Sequence, residues 1–126
     1  MSQMLHVLTV DDNEDDVLLM VRMLRRSGYR LDFVRVDNAQ DMTAALDQER
    51  FDIVFLDHSM PQFNELAALE ILGARGLTPP CIIVSSGIPE SDLLAALKAG
   101  AHDFVPKQSL DLIGPVVERV IRRLAG

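Results

Sequence analysis

Cysteine is almost absent from this sequence: Cys81 is the only one in 126 residues. An intrachain disulfide and a cysteine-built zinc site are thereby excluded. The apolar run around it (Cys81, Ile82, Ile83, Val84) predicts a buried small hydrophobe, not a reactive thiol. Long apolar runs are missing too, and none approaches the ~18 residues that a membrane-spanning helix needs. The stretch from Met1 to His6 has neither the basic region nor the apolar core of a secretory signal. Together these absences point to the cytoplasm. Positive charge is also scarce. Twelve lysines and arginines face nineteen aspartates and glutamates, for a net charge of −7. DNA, RNA and anionic membranes all demand a positive surface and are disfavoured as main partners.

What is present suits one globular domain over residues 1–126. Apolar residues make up 48% and charged residues 25%, and the chain is long enough to bury a core without staples. There is no internal repeat, low-complexity segment or linker. Short apolar runs at 6–10, 31–36, 51–56, 81–85 and 103–105 predict five strands. Amphipathic stretches between them predict helices at 14–26, 38–48, 65–75 and 90–99, and a last one running through 123. Asp12 or Asn13 caps the first helix and Asn38 the second; Gly28, Gly76 and Gly100 end three of them. The start of the last helix is ambiguous, because Gly114-Pro115 would disrupt a helix already under way. Strict alternation of strand and helix predicts an α/β fold, a doubly wound five-stranded parallel sheet with five helices. Right-handed crossovers restrict its strand order to a few arrangements.

In such sheets, sites form at the carboxyl ends of strands. Those ends deliver Asp11 and Asp12, then Asp57, then Ser85 and Ser86, and finally Lys107. Two carboxylates ~4 Å apart repel by ~1 kcal/mol in water and by several times that near a protein surface. The cluster therefore calls for counter-charge, which Lys107 and a hard divalent cation can supply. Oxygen-only ligands with room for water suit Mg²⁺, which commonly completes its shell with phosphate oxygens. Phosphoryl chemistry follows: the cation and Lys107 neutralise charge, Ser85 donates a hydrogen bond, and one carboxylate serves as nucleophile.

Four stretches carry a family resemblance. Val7-Leu8-Thr9-Val10-Asp11-Asp12-Asn13, Asp52 through Pro61, Ile83-Val84-Ser85-Ser86 and Gly100 through Lys107 resemble the CheY-like receiver domain of bacterial two-component response regulators. The resemblance covers essentially the whole chain and implies the strand order 2-1-3-4-5. It implies that Asp57 takes a phosphoryl group from a histidine kinase or a histidine phosphotransfer protein. Asp11, Asp12, Asp57 and the backbone carbonyl of Ser59 would hold Mg²⁺, or a similar ion such as Mn²⁺. Lys107 would pair with the phosphoryl group, and Ser85 and Phe104 would form the switch. The implied role is that of a stand-alone phosphoacceptor without an output domain in this chain, not an enzyme. It would signal to a downstream protein target through the face spanning about residues 90–123.

Departures from the family pattern are few. Glu65 stands where a glycine is usual, Gln108 where a proline is usual, and Ser85 where threonine is commoner. A phosphatase of the haloacid dehalogenase type would need an acid two residues after the nucleophile, and Ser59 occupies that place. A flavodoxin-like nucleotide binder would need a loop rich in Ser, Thr or Gly after the first strand, and that loop is acidic. A pseudo-receiver that only binds a partner remains an alternative, although every acceptor-site group is present. Glu14, Asp15 and Asp16 read as acids that stabilise a helix start. His58 and His102 read as surface or loop residues. Leu18, on the side of Arg22 and Arg25, reads as a docking surface for the phosphodonor.

Overall fold

The backbone alternates strand and helix from end to end. The computed structural model describes residues 4–58, 60, 62–76 and 79–125. Its elements are β1 (Met4–Val10), α1 (Glu14–Arg26), β2 (Arg30–Val36), α2 (Ala39–Gln48), β3 (Ile53–Leu56) and α3 (Glu65–Ala74). They continue with β4 (Cys81–Ser85), α4 (Glu90–Lys98), β5 (Asp103–Pro106), a 3-10 segment (Lys107–Leu112) and α5 (Ile113–Ala125). The strands are all parallel in the order β2-β1-β3-β4-β5, as the resemblance implied.

Side-chain alternation along the strands divides the core in two. Leu8, Val10, Val54, Leu56 and Ile83 pack on one face with Met42, Leu72 and Ala96 from α2, α3 and α4. Val7, Ile53, Phe55, Ile82 and Val84 pack on the other with Val17, Leu24, Val117 and Val120 from α1 and α5. β3 and β4 are buried at every position because both faces are covered by helices. The helix starts follow local chemistry. Asn13, Asn38 and Asn64 each accept a hydrogen bond from the backbone N–H three residues on, so Asn13, not Asp12, caps α1.

The last helix resolves the Gly-Pro ambiguity. Ile113 opens α5, so Pro115 falls in the first turn, where backbone N–H groups have no helical acceptor to lose. Gly114 is required for another reason. A Cβ built there would lie 2.2 Å from Ser27 Oγ and 2.5 Å from Ser27 Cβ, so α5 starts in tight contact with the end of α1.

Candidate functional site

Three central strands end in acids or a hydroxyl, and the sheet ladder holds them in place. The N–H of Asp57 donates to the Val10 carbonyl at 2.9 Å, and the N–H of Asp11 donates to the Val36 carbonyl at 2.9 Å. Both acids therefore sit on the last rungs of the sheet, one step beyond β3 and β1. Asp11, Asp57 and Ser85 are buried, while Asp12 is exposed. Carboxylate oxygens of Asp11, Asp12 and Asp57 lie within 4.8 Å of one another.

Lys107, the first residue after β5, reaches into this cluster. Its Nζ is 3.1 Å from Asp11 Oδ2, 2.7 Å from Asp16 Oδ2 and 3.5 Å from Asp57 Oδ2. Burial pulls the Lys107 pKa down, but hydrogen bonds to Asp16 and Asp11 and the charges of Asp11 and Asp57 outweigh it, so the net shift is upward. Asp11 moves the same way for a different reason. Burial pushes its pKa up to about 6; the Asp57 charge adds to this, while the Asn13 N–H and Lys107 oppose it. Asp11 Oδ1 accepts that Asn13 N–H at 2.9 Å.

Ser85 closes the site on the β4 side. Its Oγ accepts from the Gly87 N–H and donates to the Gly87 carbonyl, each at 3.2 Å. Ser86 is exposed, and its carbonyl accepts from Gln108 Nε2 at 2.8 Å. Phe104, on β5, is half-buried against the core on the side of α2, α3 and α4. Ser59 lies outside the described residues.

The structure therefore brings together Asp11, Asp12, Asp57 and Lys107, with Ser85 at the next strand end. It also adds contacts that the sequence reading did not foresee. Asp16 is not merely a helix-start acid, since its carboxylate holds Lys107. His58 is not a free loop residue either. Its Nδ1 lies 3.0 Å from both carboxylate oxygens of Glu65, which is buried, and its Nε2 lies 3.7 Å from Asp92 Oδ2 on α4. His102 Nδ1 accepts the Cys81 N–H at 3.0 Å and so joins the starts of β4 and β5.

Three convergent carboxylates offer only hard oxygen donors, which fits Mg²⁺ or Mn²⁺ and not a soft metal. Asp57 is the most enclosed of the three and has an ammonium beside it. A buried carboxylate beside two further carboxylates and a fixed positive charge is an arrangement suited to transfer of an anionic group.

Residues 7–113 match the response regulator receiver domain family. Protein PilH of Pseudomonas aeruginosa is 30% identical over 106 residues, covering 82% of this chain and 86% of that protein. Protein-glutamate methylesterase/protein-glutamine glutaminase 6 of Anaeromyxobacter dehalogenans is 34% identical over 122 residues, covering 96% of this chain. The chain spans only 34% of that protein's length. Among solved structures, the receiver domain of sensor histidine kinase PA1611 from Pseudomonas aeruginosa superposes with a TM-score of 0.75 at 23% identity. The match covers 94% of this chain and 98% of that one, which was solved with a magnesium ion in its active site cleft. Among the described residues, no helix is long and apolar enough to cross a membrane.

Proposed function

Because the chain belongs to the response regulator receiver domain family, we propose that it is a phosphoacceptor in a histidine-to-aspartate relay, with Asp57 taking the phosphoryl group. The observation that carries this reading is the Asp57 carboxylate, buried beside Asp11 and Asp12 with the Lys107 ammonium 3.5 Å away. Residues 1–126 act as one receiver domain. A carboxylate oxygen of Asp57 attacks the phosphorus of a phosphohistidine. The phosphorus–nitrogen bond breaks, the imidazole nitrogen keeps the electron pair, and an acyl phosphate forms on Asp57.

Asp11, Asp12 and Asp57 would hold the divalent cation, with the Ser59 carbonyl as a further ligand. The bound cation supplies charge neutralisation for the phosphoryl oxygens. Lys107 pairs with one of those oxygens. Ser85 gives up its contacts with Gly87 to donate to another, and Phe104 repacks as that hydroxyl moves. The acceptor assists its own phosphorylation but turns over no separate substrate.

The donor is a histidine kinase or a histidine phosphotransfer protein. Leu18, 48% exposed on α1 near Arg22 and Arg25, gives it an apolar and basic docking surface. The message leaves through protein contacts on α4, β5 and α5, where Leu94 and Leu97 are exposed. A net charge of −7 supports a protein target over nucleic acid or membrane. The cytoplasm is the compartment this chemistry suits.

The test is direct. The protein is incubated with acetyl phosphate and Mg²⁺, and intact mass is measured for wild type and Asp57→Asn. The expected result is a gain of one phosphoryl group in the wild type, lost on chelation of the cation and absent in the variant. An unmodified wild type, under conditions where other receivers react, would favour a binding-only role and overturn the reading.

A further inference from the structure

We propose that Asp16 is a positioning residue for phosphoryl transfer: with Asp11 it holds the Lys107 ammonium so that one donor remains for the group arriving at Asp57. The inference rests on the phosphoacceptor reading and adds a residue which that reading does not use.

An ammonium has three N–H donors. Lys107 spends one on Asp16 Oδ2 at 2.7 Å and a second on Asp11 Oδ2 at 3.1 Å. Asp57 Oδ2, at 3.5 Å, is within ion-pair reach but beyond a good hydrogen bond. The third donor is therefore left on the acceptor side. A lysine side chain is long and rotatable, and a single partner would not fix the direction of that donor. Two partners do so, because they arise from rigid and separate elements. Asp11 ends β1. Asp16 lies in the first turn of α1, where its own N–H is held by the Asn13 cap at 3.1 Å.

The placement of the charge supports the same role. A fourth carboxylate beside Asp11, Asp12 and Asp57 repels an anionic phosphodonor, so on charge alone Asp16 works against the reaction. At 37% side-chain exposure against 8% for Asp11, it forms the outer wall of the lysine's berth. Its contact with Lys107 is also the shortest of the three.

These two effects predict opposite results for Asp16→Ala, which makes the role testable. Phosphorylation of the wild type, Asp16→Ala and Asp16→Asn is followed by intact mass over a range of acetyl phosphate concentrations with saturating Mg²⁺. Calorimetry gives the Mg²⁺ affinity of each. Positioning predicts that Asp16→Ala lowers the saturating rate roughly five- to tenfold, as for loss of a charge-assisted hydrogen bond at a half-exposed site. The half-saturating donor concentration and the Mg²⁺ affinity should stay within about twofold. Asp16→Asn keeps an acceptor oxygen for Lys107 and should recover most of the rate. A rate in Asp16→Ala equal to or above wild type overturns the role of Asp16 alone. A fall in Mg²⁺ affinity that accounts for the slower rate also overturns it, in favour of a cation ligand. A wild type that gains no phosphoryl group overturns the Asp57 reading itself, and this role with it.

Discussion

Replacing His58 with alanine should destabilise the protein although the residue lies in a loop. Glu65 opens α3 with its carboxylate buried, and the His58 imidazole lies 3.0 Å from both of its oxygens. Leaving a buried carboxylate without its hydrogen-bond donor costs ~1–3 kcal/mol, at the upper end where little water can replace it. The side chain of His58 is 22% exposed, so only some water can follow into the vacated space, and the cost should be about 2–3 kcal/mol. Glu65→Ala removes the buried carboxylate itself and should cost only about 1 kcal/mol. In the double variant the stranded carboxylate is gone, and the total should be about 1.5 kcal/mol. The cycle then gives a coupling of about 2 kcal/mol, well above the few tenths typical of independent sites. Urea unfolding at pH 7, followed by far-UV circular dichroism since the chain has no tryptophan, measures all four corners. With an m of about 1.5 kcal/mol/M, His58→Ala should lower the midpoint by roughly 1.3–2 M. Single costs that add to the double within about 0.5 kcal/mol would show that the two side chains do not depend on one another.

Gly114→Ala should destabilise despite alanine's better helix propensity. Overpacking against Ser27 costs ~1–3 kcal/mol, against the ~1 kcal/mol that alanine brings to a helix. Adding Ser27→Gly removes both clashing atoms, leaves the Ser27 Cα at 3.9 Å and should restore most of the melting temperature. A single variant as stable as wild type would mean that Ser27 simply moves aside. Asp11 makes stability depend on pH. Its pKa is raised to about 6 in the fold, so its contribution is fully present below about 4 and is lost as pH rises to about 6. Without a divalent cation, Asp11→Asn should therefore be more stable than wild type above pH 6 and not below pH 4. Mg²⁺ at pH 7 should stabilise the wild type but hardly the variant. Denaturation curves at the two pH values, with and without Mg²⁺, check the sign, and equal stability of the two proteins at pH 7 without Mg²⁺ would refute it.

Much of the fold was legible because local chemistry and global topology agree. The apolar run at 81–85 coincides with β4, and Asn38 marked the start of α2. The rule that sites gather at strand carboxyl ends placed Asp11, Asp57, Ser85 and Lys107 on one edge before any coordinates existed. Strand order was not legible from periodicity and came from the resemblance alone. Gly114-Pro115 left the start of the last helix open because a helix breaker looks the same whether it falls in mid-helix or in a first turn. Asp16 was read only as a helix-start acid and His58 only as a surface or loop residue for a shared reason. Their partners, Lys107 and Asp92, are distant in sequence, and only the packing of α1 and α4 against the sheet brings them near. Glu65 was noticed as a departure from a usual glycine, yet nothing local showed that His58 would receive its carboxylate.

The lysine bond across the sheet has a consequence for how the protein is made. Lys107 and Asp11 are 96 residues apart, so the ammonium that balances the acids follows all five strands out of the ribosome. Until then Asp11, Asp12, Asp16 and Asp57 have no lysine to answer them, and contacts of such long range are slow to form. The site is therefore a late stitch in the fold. A chain that has placed this lysine on Asp11 has already set β3 and β4 between β1 and β5, so an assembled site reports that most of the sheet has formed.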